Sequence, residues 1–190
     1  QTMAGQAAED IPPDFRGLTQ MAYKRNGVVF AVILSRMLLF AQARFAFQQL
    51  VKGRPGDLFG TEALRPLESP EPGKPTGWLA SRAEQDVSLA GNFYATNYYP
   101  GVIKRLRPDW VSILMGSMED PSLAPYDIGA KVVGYGYHPG GPGSGIDPIG
   151  LRPEQVAHYA PVPDPDAYYR GMSWLTPIVQ EIQADQAATG

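Results

Sequence analysis

Residues 26–51, NGVVFAVILSRMLLFAQARFAFQQLV, decide how the rest of the chain is read. Apolar residues run unbroken over 28–34, stop at Ser35 and Arg36, and resume over 37–41. A membrane span needs about 20 predominantly apolar residues. This run is shorter, and it carries Arg36 at its middle, where a charge in lipid is costly. Read as a helix, it places Ser35 and Gln42 seven residues apart on one stripe, with Arg36 beside them and everything else apolar. Such a helix packs on nearly all sides, within a large protein or between subunits. A core helix is expected, not an anchor. Asn26 is its expected N-cap, because its side-chain oxygen can accept a first-turn N–H. Arg36 then needs an acidic side chain or backbone carbonyls beside it.

Outward from this stretch the period changes. Phe45 and Phe47 alternate with Arg44, Ala46 and Gln48, which predicts a half-buried strand, and residues 52–57 (KGRPGD) read as a turn. Thr61 is placed to cap a short helix over 62–67, limited by Pro66. Residues 69–77 (SPEPGKPTG) form a loop, and Thr76 is the expected cap of a second helix over 78–90. Trp78, Leu79, Ala83, Val87 and Ala90 make its apolar stripe, with Arg82, Glu84, Gln85 and Ser88 off it. Gly91 is placed to stop it.

A β-rich middle follows. Residues 93–99 and 102–106 pair as a hairpin around Pro100-Gly101. Strands are expected over 110–115, 131–138 and 155–160, with a polar excursion at 117–129 and a glycine-rich loop at 138–150 (HPGGPGSGIDPIG). Ser173 caps a last helix with Pro177 in its first turn and Leu175, Ile178, Val179 and Ile182 on its apolar side. The chain stops in mid-helix, which reads as a fragment.

The fold class predicted is α+β. An apolar core helix and strand come first, then a second amphipathic helix, a middle of short antiparallel strands, and the start of a long helix. Residues 1–17, polar with Pro12-Pro13, read equally as a disordered terminus or as an extended arm docking on a neighbour. Residues 18–170 form the α+β body, and 171–190 begin the long helix.

Composition narrows the function classes. With 190 residues, 44% of them hydrophobic and 18% charged, the chain can build a real core and is not disordered throughout. Net charge is −3 without a block of like charge, so no basic patch offers itself to nucleic acid. There is no cysteine, which excludes disulfide scaffolds, thiolate metal sites and cysteine nucleophiles. No secretory signal is visible at the N-terminus.

The glycine cluster 140–145 lacks the Lys-Ser/Thr of a phosphate loop and the spacing of a dinucleotide fingerprint, and reads as a loop between strands. His138 and His158 are the two histidines, each ending a predicted strand, with no ligand at i+2 or i+4. A zinc site would need both plus Asp147 or Asp164, and structural histidines are the better reading. Ser144, His158 and Asp164 supply the residue types of a hydrolase triad, without the strand–turn–helix elbow that exposes a nucleophilic serine. Asp164 and Asp166 are paired acids in a proline-stiffened loop, expected to face solvent. Tyr98, Tyr99, Tyr135, Tyr137, Tyr159, Tyr168 and Tyr169 lack interleaved cations and read as packing residues. No catalytic, cofactor-binding or metal residue is assigned. A hydrolase or metal enzyme using His138 and His158 is kept as the alternative.

Several segments together resemble the N-terminal part of the portal proteins of tailed bacteriophages, most like those of phages infecting actinobacteria. They are RNGVVFAVILSRMLLFAQARFAFQQL, GDLFGTEALRPLESP, QDVSLAGNFYATNYY, VIKRLRPDWVSILMG and EQVAHYAPVPDPDAYYRGMSWLTPIVQEIQADQAAT, dispersed in order over 18–189. The resemblance implies a non-enzymatic head–tail connector, a homo-oligomeric ring, commonly a dodecamer, at one vertex of the capsid. It implies assembly in the host cytoplasm and residence in the virion, with double-stranded DNA passing non-specifically through the channel. The implied partners are other copies of the chain, the major capsid protein, the terminase large subunit and head–tail adaptor proteins, with no cofactor and no membrane. Portals are far longer than this chain, which ends before the channel-facing loop and the C-terminal helical crown.

Overall fold

The computed structural model describes residues 8–10, 14–120, 122–179, 181, 182, 184 and 188. It is an α+β fold. Strand β1 (Ala8–Asp10) leads to a short helix α1 (Asp14–Gly17) that continues as a π-helical run, Leu18–Tyr23. Helix α2 (Gly27–Ala41) is capped as expected, the Asn26 side chain accepting from the amides of Val28 and Val29 at 3.0 and 3.1 Å. A hairpin of β2 (Phe47–Val51) and β3 (Arg54–Phe59) follows, then a 3-10 turn (Glu62–Leu64) and α3 (Arg65–Glu68). Helix α4 (Thr76–Ala90) ends at Gly91, whose φ of 68° is the left-handed conformation that releases the chain into β4 (Phe93–Thr96). The remaining strands are β5 (Lys104–Leu106), β6 (Val111–Gly116), β7 (Lys131–Tyr137), β8 (Ile149–Leu151) and β9 (Val156–Tyr159).

The strands form three antiparallel sheets, in the orders β1-β6-β7-β8, β5-β4-β9 and β2-β3. The expected hairpin across Pro100-Gly101 is present, with Tyr94 opposite Leu106 and Thr96 opposite Lys104. β9 pairs on the other side of β4, placing His158 opposite Tyr94. The first two sheets bury Tyr94, Leu106, Val111, Ile113, Tyr135 and Leu151 together. A helical core gathers Ala22, Val29, Ile33, Leu89, Leu175 and Ile182. Val87, Phe93 and Ala95 join α4 to β4.

Helices α2 and α4 approach so closely that a Cβ on Gly77 would fall 2.0 Å from the Ala41 carbonyl oxygen. Glycine there is what admits the end of α2. The expected partner of Arg36 comes from the same contact: its guanidinium pairs with Glu84, which is 7% exposed and also accepts from the Ser88 hydroxyl at 2.9 Å.

Several expectations are corrected. The stretch 52–57 is not all turn; only Lys52 and Gly53 turn, and Arg54 onward pairs back as β3, since Pro55 lies in a two-stranded sheet where a missing N–H is tolerated. β2 is not half-buried, for four of its five residues are exposed. Neither Thr61 nor Thr76 caps a helix by its side chain; the Thr76 hydroxyl donates to the carbonyls of Leu67 and Glu68 instead. On α4, Glu84, Asp86 and Ser88 are buried, because the helix is covered by α2 on one side and the sheet on the other. Ile149 and Gly150, read as loop, begin the edge strand β8. Within 1–17, the described residues contribute β1, paired with β6, and α1. Ser173 accepts from the Leu175 amide at 3.0 Å and donates to the Ser88 carbonyl at 2.5 Å, so it pins the last segment to α4. Leu175 and Ile182 are buried as expected, while Ile178 is 38% exposed.

Candidate assembly surface

The residues singled out for chemistry are held apart. Ser144 donates to the Pro139 carbonyl at 2.6 Å, His158 contacts Asn92, and Asp164 pairs with Arg170 at 3.0 Å. The expectation that Asp164 faces solvent is corrected. Its side chain is 13% exposed because Arg170 folds over it, while Asp166 is exposed. The glycine cluster starts no helix, and Gly140, Gly141, Gly143 and Gly145 all have positive φ. Among the described residues, no three of His, Asp and Glu converge as a metal site would require.

His158 belongs to a buried node. Asn92, fully buried, donates to the carbonyls of Ala90 and Gly171 at 2.8 Å and accepts from the Gly171 amide at 2.8 Å. With its NH₂ group used, its oxygen faces His158 Nε2 at 3.0 Å, so the neutral Nε2–H tautomer is the one that fits. The ring also stacks on Tyr94 at 4.4 Å. Burial pushes the His158 pKa down to about 4. It is a neutral structural histidine.

His138 meets a serine, though not the one considered in sequence. Its Nε2 lies 3.0 Å from the Ser112 hydroxyl, which itself donates to Asp10. That hydroxyl has one proton, given to Asp10, so His138 donates to it and is not placed to act as its base. A nucleophilic triad needs the carboxylate on the histidine, not on the serine. Ser112 is 6% exposed in the middle of its sheet, between β1 and β7.

Two further polar groups lay outside the sequence reading. Glu9, 8% exposed, accepts from three successive amides, Tyr168, Tyr169 and Arg170, at 2.6, 3.0 and 3.2 Å. Arg170 returns a bond to the Asp10 carbonyl at 3.1 Å, so β1 and the 164–171 loop clasp each other. Asp86, 2% exposed, holds Arg105 in a two-pronged bond at 2.5 and 2.6 Å. Burial pushes its pKa up to about 6 in spite of the guanidinium. Arg105 and Asp86 line an open cleft of 590 Å³ with Phe15, Arg16, Tyr23 and Trp110. Beside it Arg107 pairs with Asp109 at 2.7 Å and Arg16 lies 3.9 Å from the same carboxylate, while Lys24 adds a further cation to the lining. Signals for these partners were absent because they are far apart in sequence.

On α2 only Val29 and Ile33 are buried, while Val28, Leu38 and Leu39 are 71%, 57% and 72% exposed. The expectation of a helix packed on nearly all sides is not met within this chain. Phe45, Leu50, Val51, Leu58 and Phe59 of the following hairpin region are exposed as well. Among the described residues no helix is long and apolar enough to cross a membrane. A surface of this kind marks an interaction site.

Fold and surface thus describe an α+β chain with an uncovered apolar helix and without an assembled reaction centre among its described residues. The same fold occurs in solved particle structures. A chain from the neck of a native GTA particle, computed with C12 symmetry, matches with a TM-score of 0.71 at 18% identity over 98% of this chain. A chain from the virion of a native gene transfer agent particle matches with a TM-score of 0.71 at 18% identity over 96%. A chain from the neck of an empty GTA particle, computed with C6 symmetry, gives 0.72 at 19% over 96%. This chain spans less than half of those chains, 46%, 45% and 46% of their lengths. The likeness is one of fold. No protein family profile and no curated protein matches the sequence.

Proposed function

We propose that the chain is the N-terminal part of a portal-type ring subunit at the head–tail junction of a phage-like particle. One observation carries this reading: nearly the whole chain shares the fold of neck chains from particles treated with cyclic symmetry. The portal-like segments read in the sequence narrow the neck chain to the portal. On this reading, copies of the chain close a ring, commonly twelvefold, at a vertex of the capsid within the virion, after assembly in the host cytoplasm. Double-stranded DNA passes through its opening during packaging and ejection. The major capsid protein, the terminase large subunit and head–tail adaptors are its partners. The actinobacterial-phage origin belongs to the same reading.

The role is structural and needs neither cofactor nor catalytic residue. The neutral His158 and the proton-donating His138 support that side of it. A net charge of −3 suits a channel through which DNA must slide, since neutralising many phosphates would hold the duplex by counterion release. The domain division proposed is a terminal arm over 1–17, a body over 18–170 and a long helix from 171. Native mass spectrometry of the full-length protein tests the reading: a closed oligomer of fixed copy number is expected, and a monomer at tens of micromolar would overturn it.

A further inference from the structure

We propose that the outward stripe of α2, with the hairpin that follows it, seats a neighbouring copy of this chain. The inference rests on the ring reading and specifies the surface through which the ring closes.

Geometry sets the stripe apart from the core. At about 100° per residue, Val28, Ala31, Ser35, Leu38 and Leu39 share a face turned roughly 150° from that of Val29 and Ile33. The inner face is occupied by Ala22, Leu89, Leu175 and Ile182. The outer face is chemically blank. Its serine returns its hydroxyl to the Ala31 carbonyl at 2.8 Å, and Arg36, at the border of the stripe, turns its Nε to Glu84.

Ile182 lies in the inner cluster with Val29 and Ile33, so that face is already covered within the chain. Size argues for a second copy. Val28, Leu39, Leu50 and Leu58 are 71%, 72%, 76% and 68% exposed. With the other exposed side chains of α2 and the hairpin they offer on the order of 1,000 Å² of apolar surface, against about 800 Å² per partner in a stable interface. An ordinary monomer's largest patch is about 300–600 Å². The hairpin adds its own demand, since among the described residues β2 and β3 pair only with each other and a two-stranded sheet is marginal alone. A head-to-tail contact of this surface with another part of the next copy is the kind that closes a ring.

Two arms test this on the full-length protein. Leu39→Asp should raise the concentration needed for assembly at least ~30-fold, as removal of a central anchor does, while thermal unfolding of the monomer is unchanged. A photo-crosslinking benzoylphenylalanine placed at position 39 should give a product of twice the chain mass, which decides the matter even where Leu39→Asp fails to fold. Assembly unaffected by Leu39→Asp would overturn the inference. So would a crosslink confined to one chain, which would make the chain's own continuation the cover, or a ring in which position 39 joins no other copy. A wild-type protein that forms no ring overturns the ring reading itself, whereas a ring with an intrachain crosslink overturns this inference alone.

Discussion

Asp86 and Arg105 show how a buried charge pair reads at the scale of single residues. Two short bonds join them, yet burial dominates, and the Asp86 pKa rises to about 6 from 3.8. A folded value above the unfolded one means that the group favours the fold most below pH 3.8 and loses that contribution as pH rises through about 6. Ionised at neutral pH, the buried carboxylate therefore adds little net stability of its own. Asp86→Ala should cost about 3 kcal/mol, at the low end for a broken buried pair because the Arg105 side chain keeps 25% of its surface exposed, while Asp86→Leu combined with Arg105→Met should cost about 1 kcal/mol or less. Urea unfolding of the three variants measures the difference. His158 behaves in the opposite sense. Its folded pKa, about 4, lies below the usual 6.5, so its contribution is fully present above pH 6.5 and is lost as pH falls through about 4. Stability measured at pH 7 and pH 5 should fall further in the wild type than in His158→Gln, and equal falls would contradict the assignment. The sequence favoured structural histidines over catalytic ones, and the contacts observed are His158 with Asn92 and His138 with Ser112. It offered no sign of Asn92 or Glu9 as hubs, because Gly171 lies 79 residues from Asn92 and the Tyr168 amide 159 residues from Glu9. Hydrogen-bond partners at that separation leave no local spacing to read.

At the scale of elements, local signals carried well and burial did not. Asn26 as cap, Gly91 as stop and the Pro100-Gly101 hairpin depend on neighbouring residues alone, and all three hold. Alternation in β2 was equally legible, but period tells which residues share a face, not whether anything covers it. Helix α4 departs the other way, since Glu84 and Ser88 are buried on what the wheel marks as its polar side. The contact between α2 and α4 gives a direct test. Gly77→Ala would press a Cβ against the Ala41 carbonyl and should destabilise the fold by about 3 kcal/mol, at the upper end for overpacking. Gly27→Ala, at the start of α2 with open space around it, should leave the melting temperature unchanged or slightly raised. Equal effects of the two would deny the close helix approach.

The whole molecule is organised around the stretch with which its sequence was first read. Residues 26–51 have the composition of a core, yet Val28, Leu38 and Leu39 face outward with the hairpin beyond them. Hydrophobic pattern records the state in which a chain is finally buried, and for an assembling subunit that state includes other chains. Arg36 is partnered by the buried Glu84, although its own side chain stays 49% exposed. The proposal joins the surface and the particle-neck fold in one account, a ring subunit closing on its neighbours through α2. Its most direct test is the mass of the full-length protein under native conditions. The account predicts a single closed species at an integer multiple of the chain mass, commonly twelve, and a lone chain mass at tens of micromolar would contradict it.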